Sequence, residues 1–141
     1  MRIFVDGDVF ENPWQRGIHR IFHGVLSRIT DRHKVDVGIE SKAVHPLPTG
    51  AHAVKGYPRT WHERGLPRAV RAARVRMMRS RLRRYDLFHA TFYSLPPLPD
   101  MPTVVTVFDM ITEQLPHVCN PWGLAQPLRK RRAIERADLP T

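Results

Sequence analysis

The chain is predicted to be an α/β domain built on a parallel sheet. Three observations predict this. Short apolar, β-branched runs alternate with stretches of helical periodicity. A strand, a helix and a second strand fit within the first 40 residues, and such a βαβ unit joins parallel strands through a right-handed crossover. Polar residues gather just past the ends of the apolar runs, at the edge where open parallel sheets bind ligands.

The elements follow in order. Residues 2–6 (RIFVD) form a short apolar run, hence a buried strand. Residues 7–16 carry Gly, Asn and Pro and read as a loop. From Gly17 to Thr30 the pattern is helical. Ile18, Ile21, Phe22, Val25, Leu26 and Ile29 fill about 140° of arc at 100° per residue, with Arg16, His19, Arg20, His23 and Ser27 opposite. KVDVGI at 34–39 is the next strand. Residues 41–65 are rich in Pro, Gly and His, with a short strand at Ala51–Val54.

Residues 66–85 are rich in good helix formers, with Pro67 suited to the first turn. DLFHAT (86–91) is a strand, PLPD (97–100) a turn, and PTVVTVFD (102–109) the most β-branched strand of the chain. A loop at 112–123 leads to a last helix, 124–138, with Leu124, Leu128, Ala133, Ile134 and Ala137 as core contacts.

Length and composition set bounds. The 141 residues suffice for one domain with a real core and not for two. No apolar run is long enough for a membrane-spanning helix, and the opening residues are too short an apolar stretch for a signal peptide. The single cysteine, Cys119, forms no internal disulfide, which fits a reducing compartment. The expected location is cytoplasmic. The formal net charge of +10 favours anionic partners, and it also fits an arginine-rich composition without function.

Three features are candidates for chemistry. The first is Gln15-Arg16-Gly17, where a loop turns into a helix: glycine lets backbone N–H groups approach a ligand, and the helix start favours an anion. A simple tight turn explains one glycine equally well, since neither G-x-G-x-x-G nor the P-loop pattern is present. The second is the pair of strand ends that places His89, Thr91, Tyr93, Asp109 and Glu113 together; capping and loop solvation are the plainer reading. The third is the helix with eight arginines in 68–84. It is a solvated basic face or an anionic-lipid contact, with nucleic acid ranked last because no aromatics interleave. Its apolar residues split into two patches: Leu66, Ala69, Val70, Ala73 and Met77, and Val75, Met78 and Leu82. No Cys or His spacing suggests a metal, and no G-x-S-x-G elbow occurs.

Taken in order, the early strand, Q-x-G-I-x-R (Gln15 to Arg20), DLFHATFY (86–93), PTVVTVFDMITE (102–113) with Pro116, and AIERAD (133–138) resemble one family. It is the N-terminal domain of family 4 glycosyltransferases, retaining enzymes of GT-B architecture, in the bacterial mannosyltransferase-like branch that builds polysaccharides. The similarity spans nearly the whole chain.

The resemblance implies a Rossmann-like acceptor-side domain facing a second domain that holds the nucleotide sugar. It implies transfer of a hexose, mannose or glucose, to a polysaccharide or lipid-linked acceptor, with no metal or further cofactor. Gln15, Arg16, Gly17, His89, Tyr93, Asp109 and Glu113 become substrate-binding candidates, with no catalytic residue assigned. Gly17 is similar to the loop glycine that approaches the donor phosphates. Asp109 is similar to the Asp of a His-Asp or Tyr-Asp pair, with Phe108 at the position of the family's histidine.

In the family, the closing Ala-Asp leads into a strand and the donor-binding domain; here Leu139-Pro140-Thr141 follows Asp138. The expectation is that these residues lack the donor half and are inactive alone. The arginines Arg79, Arg81, Arg83 and Arg84 would bring the protein to an anionic inner membrane face. The alternative is a non-catalytic basic module that binds nucleic acid or anionic membrane.

Overall fold

A computed structural model describes residues 1–14, 16–58, 67–108, 114 and 126–137. Gln15, Leu66, Asp109, Glu113, Cys119 and Leu124 lie outside them, as do the side chain of Arg16 and the loop 112–123 apart from Gln114.

The fold is a Rossmann-like α/β sheet with all its strand pairs parallel. In chain order the elements are β1 (Arg2–Asp6), α1 (Asp8–Glu11), α2 (Arg16–Ile29), β2 (Lys34–Ile39), β3 (His52–Lys55), α3 (Arg68–Leu82), β4 (Leu87–Ala90), β5 (Thr103–Val105) and α4 (Gln126–Arg136). The sheet order is β3-β2-β1-β4-β5. β1 is central and pairs with β2 from Arg2↔Lys34 to Asp6↔Gly38, and with β4 from Ile3↔Leu87 to Val5↔His89.

The period-two alternation of β1 and β2 sends their residues to two cores. Ile3, Val5, Val35, Val37 and Ile39 meet Phe22 and Leu26 of α2 on one face. Phe4, Phe88 and Ala90 meet Met78 and Leu82 of α3 on the other. Phe4 also packs on Tyr57, with ring centroids 4.9 Å apart. That contact needs a glycine at position 38, where a Cβ would come within 2.7 Å of both rings. Tyr85 donates to Asp36 Oδ2 at 2.7 Å, and burial plus that bond push its phenol up to about 12.

Four expectations need correction. The loop read over 7–16 contains α1, because Val9 and Phe10 are apolar enough to be drawn fully into the core beneath it. The last strand is shorter than 102–109: among the described residues β5 pairs with β4 alone, and that ladder ends at Ala90↔Val105. The apolar arc of α2 is wider than its contact with the sheet. Phe22 and Leu26 are buried, and Ile18 and Ile29 pack at the margin, but Ile21 stays 54% exposed and Val25 is exposed too. In α4, Leu128 and Ile134 point outward; Ala133 and Lys130 face inward instead, because the helix docks on the loop after β4 with Lys130 over the Tyr93 ring and Arg136 bonded to Leu98 O. In α3, Met78 and Leu82 are the buried pair, and the Ala69, Val70, Ala73, Met77 patch is on the surface.

Candidate functional site

In this strand order the chain winds away in opposite directions from β1 and β4. Their carboxyl ends therefore flank the crevice where open α/β sheets take ligands. Asp6 ends β1 there and is 1% exposed. Its carboxylate accepts the Thr91 and Asp8 backbone N–H groups, each at 3.2 Å, and the hydroxyls of Thr91 and Ser94. Thr91 Oγ1 in turn accepts the Val9 N–H at 3.4 Å. One buried anion thus ties the start of α1 to the loop after β4. It is fully engaged, so its role is to fix the shape of the crevice rather than to hold a ligand.

His89 lies on β4 between Val5 and Val104 in the ladders. Its Nε2 is 2.9 Å from Thr106 Oγ1, and its ring meets the Phe22 ring at 5.3 Å. Burial lowers its pKa from the ordinary 6.5, with the Asp6 carboxylate opposing that shift. A histidine held neutral costs stability when acid must charge it. Above about pH 6.5 this cost is absent; as pH falls through that value toward the lower folded-state pKa, the unfolded chain binds the extra proton and stability drops. His89→Gln should remove part of that acid slope, seen as a flatter unfolding free energy between roughly pH 7 and pH 5. An unchanged slope would mean that His89 is not the linked group.

Tyr93 is the one non-glycine residue with positive φ among the described residues, at 54°. An aromatic residue rarely occupies this left-handed region, and such strain concentrates at functional sites. Lys130 of α4, 2% exposed, sets its Nζ 5.4 Å from the Tyr93 ring centroid, a cation–π distance. Arg136 Nη2 donates to Leu98 O at 3.0 Å. Thus α4 clamps the 93–98 loop through a lysine and an arginine.

Gly17 is the second residue of α2 and exposed, and a Cβ there would meet nothing within 4 Å. Packing among the described residues gives no reason for a glycine at this position. The structure therefore brings His89 and Tyr93 to one strand end, and sets Gly17 on a separate helix start. Phe108 packs edge-on against Phe22 at 5.6 Å, which anchors α2 to the segment after β5. Arg79, Arg81, Arg83 and Arg84 are all exposed, and Arg79 Nε donates to Pro97 O at 2.8 Å.

Sequence reasoning missed Asp6, Ser94, Thr106 and Lys130 as members of this region. An Asp-Gly pair at the end of the first strand was a visible signal for Asp6. Nothing distinguished Lys130 from the other cations of its helix. Neither a protein-family model nor a curated protein sequence matches the chain. Among the described residues, no group of three His, Cys, Asp or Glu is placed to hold a metal ion. None of their helices is long and apolar enough to cross a membrane.

Proposed function

We propose that these residues form the acceptor-side domain of a retaining, sugar-nucleotide-dependent hexosyltransferase. The observation that carries this reading is the ordered motif series, resembling family 4 glycosyltransferases, on a parallel Rossmann-like sheet with His89 and Tyr93 at its central carboxyl edge. Two further features support it. Gly17 is a glycine that packing among the described residues does not require, which suits a backbone kept open to a ligand. Tyr93 holds a strained backbone angle, which suits a ring kept in place for a sugar face. In this reading the 141 residues supply the acceptor wall, and a nucleotide sugar of mannose or glucose is held by a second domain outside them. One wall gives too little stabilisation of the leaving diphosphate for turnover.

The test is saturation-transfer NMR with mannose- and glucose-terminated oligosaccharides. Weak binding is expected, with shifts in a parallel protein-observed titration centred on His89 and Tyr93, and Tyr93→Ala should weaken it about tenfold, or 1.4 kcal/mol. No saturation transfer at millimolar sugar would overturn the reading. Turnover of GDP-mannose or UDP-glucose by residues 1–141 alone would overturn the need for a second domain.

The surface of α3 favours recruitment to an anionic membrane. Val70 and Met77 are 42% and 40% exposed, beside exposed Ala69 and Ala73, and the helix contains arginines and no acid. Apolar side chains flanked by cations suit the lipid interface, and each basic residue near an anionic leaflet contributes about 1 kcal/mol. Changing Arg79, Arg81, Arg83 and Arg84 to Gln should weaken sedimentation with phosphatidylglycerol vesicles at low salt. Loss of tight DNA or RNA binding with vesicle binding intact would favour the basic-module reading instead.

A further inference from the structure

A cleft of about 320 Å³ opens between the first turns of α2 and the loop after β2. Among the described residues Pro13, His19, Arg20, Val44 and His45 line it. Three of these five carry a guanidinium or an imidazole, and none carries a carboxylate. Gly17 does not belong to this lining, and neither do the crevice residues at β1 and β4.

The loop wall is held in place by its backbone. Val44 and His45 N–H groups both donate to Phe10 O, at 2.8 and 3.0 Å. His45 Nε2 lies 3.0 Å from Asn12 O, and facing a carbonyl it must be the donor. The nearby acid of α1, Glu11, is turned to the loop backbone, where it accepts the N–H groups of Glu40, Ser41 and Lys42 at 3.1, 2.8 and 3.1 Å.

The His45 ring stacks on the His19 ring, with centroids 4.2 Å apart and planes 15° from parallel. Imidazole gains its charge between roughly pH 8 and pH 5. Two imidazolium rings at this spacing repel each other and the neighbouring Arg20. A dianion beside the edges of the stacked rings offsets that repulsion, and the guanidinium fork matches phosphate oxygens. The other charged and titratable groups on the surrounding elements are Asp8 and Glu11 on α1, Arg16, His23 and Arg28 on α2, and Glu40 and Lys42 on the loop; the His23 ring lies 6.2 Å from the His19 ring.

We propose that this cleft binds a dianionic phosphate, either a phosphomonoester or a terminal diphosphate, through Arg20, His19 and His45. The proposal requires nothing of the glycosyltransferase reading, because none of these residues takes part in the sugar site. A phosphorylated small molecule and a phosphomonoester lipid headgroup share this chemistry.

The experiment is an NMR titration of the full chain that follows the ring signals of His19 and His45. Inorganic phosphate and pyrophosphate should shift both rings saturably. Sulfate is dianionic throughout, so its pH dependence isolates protonation of the protein: its affinity should rise about tenfold from about pH 8 to about pH 6. Arg20→Gln, at an exposed position, should weaken phosphate about tenfold. His45→Asn, which keeps a donor for Asn12 O, should flatten the sulfate pH profile. Changing the four arginines Arg79, Arg81, Arg83 and Arg84 to Gln should leave the titration as it was.

Phosphatidic acid vesicles carry a phosphomonoester and phosphatidylglycerol vesicles a diester. Preference for the former supports a headgroup ligand; saturation by pyrophosphate with no such preference supports a free phosphorylated one. The proposal is overturned by non-saturating shifts, by Arg20→Gln and His45→Asn proteins that titrate like the parent, or by phosphate binding that disappears when Arg79, Arg81, Arg83 and Arg84 are changed. A direct sugar contact at Tyr93 without phosphate binding would overturn it and leave the function reading standing.

Discussion

Asp6→Ala is expected to lower the unfolding free energy by about 3–5 kcal/mol, since each buried donor left without a partner costs about 1–3 kcal/mol. Thr91 Oγ1 keeps the Asp6 main-chain carbonyl at 3.2 Å, but the Thr91 and Asp8 N–H groups and the Ser94 hydroxyl lose their acceptor at a position 1% exposed. Water does not readily replace it there. Asp6→Asn should be milder, because one carbonyl oxygen remains while the new amide faces former donors. The Asp6 carboxylate also opposes the lowering of the His89 pKa. Its loss should lower that pKa further, so the acid-linked fall in stability should continue to lower pH. Denaturant unfolding at several pH values measures both effects. A loss below about 1 kcal/mol for Asp6→Ala would show that these bonds have little net worth in the folded chain.

Gly7→Ala should cost about 3 kcal/mol or more, at the upper end of what forced overpacking does. A Cβ at Gly7 would stand 2.0 Å from Gly38 O and 2.7 Å from Ile39 Cδ1. The carbonyl belongs to the last rung of the β1–β2 ladder, Asp6↔Gly38, so it cannot yield without parting two strands. Gly17→Ala is the matched control. It lies in a helix with nothing within 4 Å, so it should be neutral or stabilise by up to about 0.5–1 kcal/mol. Thermal unfolding of the two variants side by side checks the contrast. Equal behaviour would mean that the chain relaxes around position 7.

Wherever hydrophobic periodicity was strong, the fold was legible. Arg2–Asp6 and Lys34–Ile39 are strands over the range that their apolar runs indicated, and the helix read from Gly17 begins one residue earlier and ends at Ile29. Periodicity reports which residues avoid water, and strands or helices with one such face have few ways to pack. Two corrections fall where periodicity was weak, while the exposed Ile21 and Val25 of α2 and the shortened β5 fall where the pattern was strong and tertiary contact limited it. Val9 and Phe10 sit among Gly, Asn and Pro, so four residues of helix had no repeat to announce them. Leu128 and Ile134 were the apolar residues of a basic helix, yet its buried contacts come from Lys130 and Ala133.

The candidate site divides in the same way. His89 and Tyr93 were visible because a polar residue past an apolar strand marks the ligand edge of a parallel sheet. Glycine at position 17 was visible too, though the open space around it was not. By itself, the sequence determined the fold class, the order of the strands and longer helices, and the Phe22–Leu26 side of α2 that meets the sheet, because these depend on contacts between near neighbours and on burial pattern. Only the tertiary structure decided that Asp6 meets Thr91 and Ser94, with separations of 85 and 88 residues. It also decided that His19 stacks on His45 and that Lys130 covers Tyr93. Such pairs depend on sheet order and strand register, which sets residues distant in sequence opposite one another to within a single position.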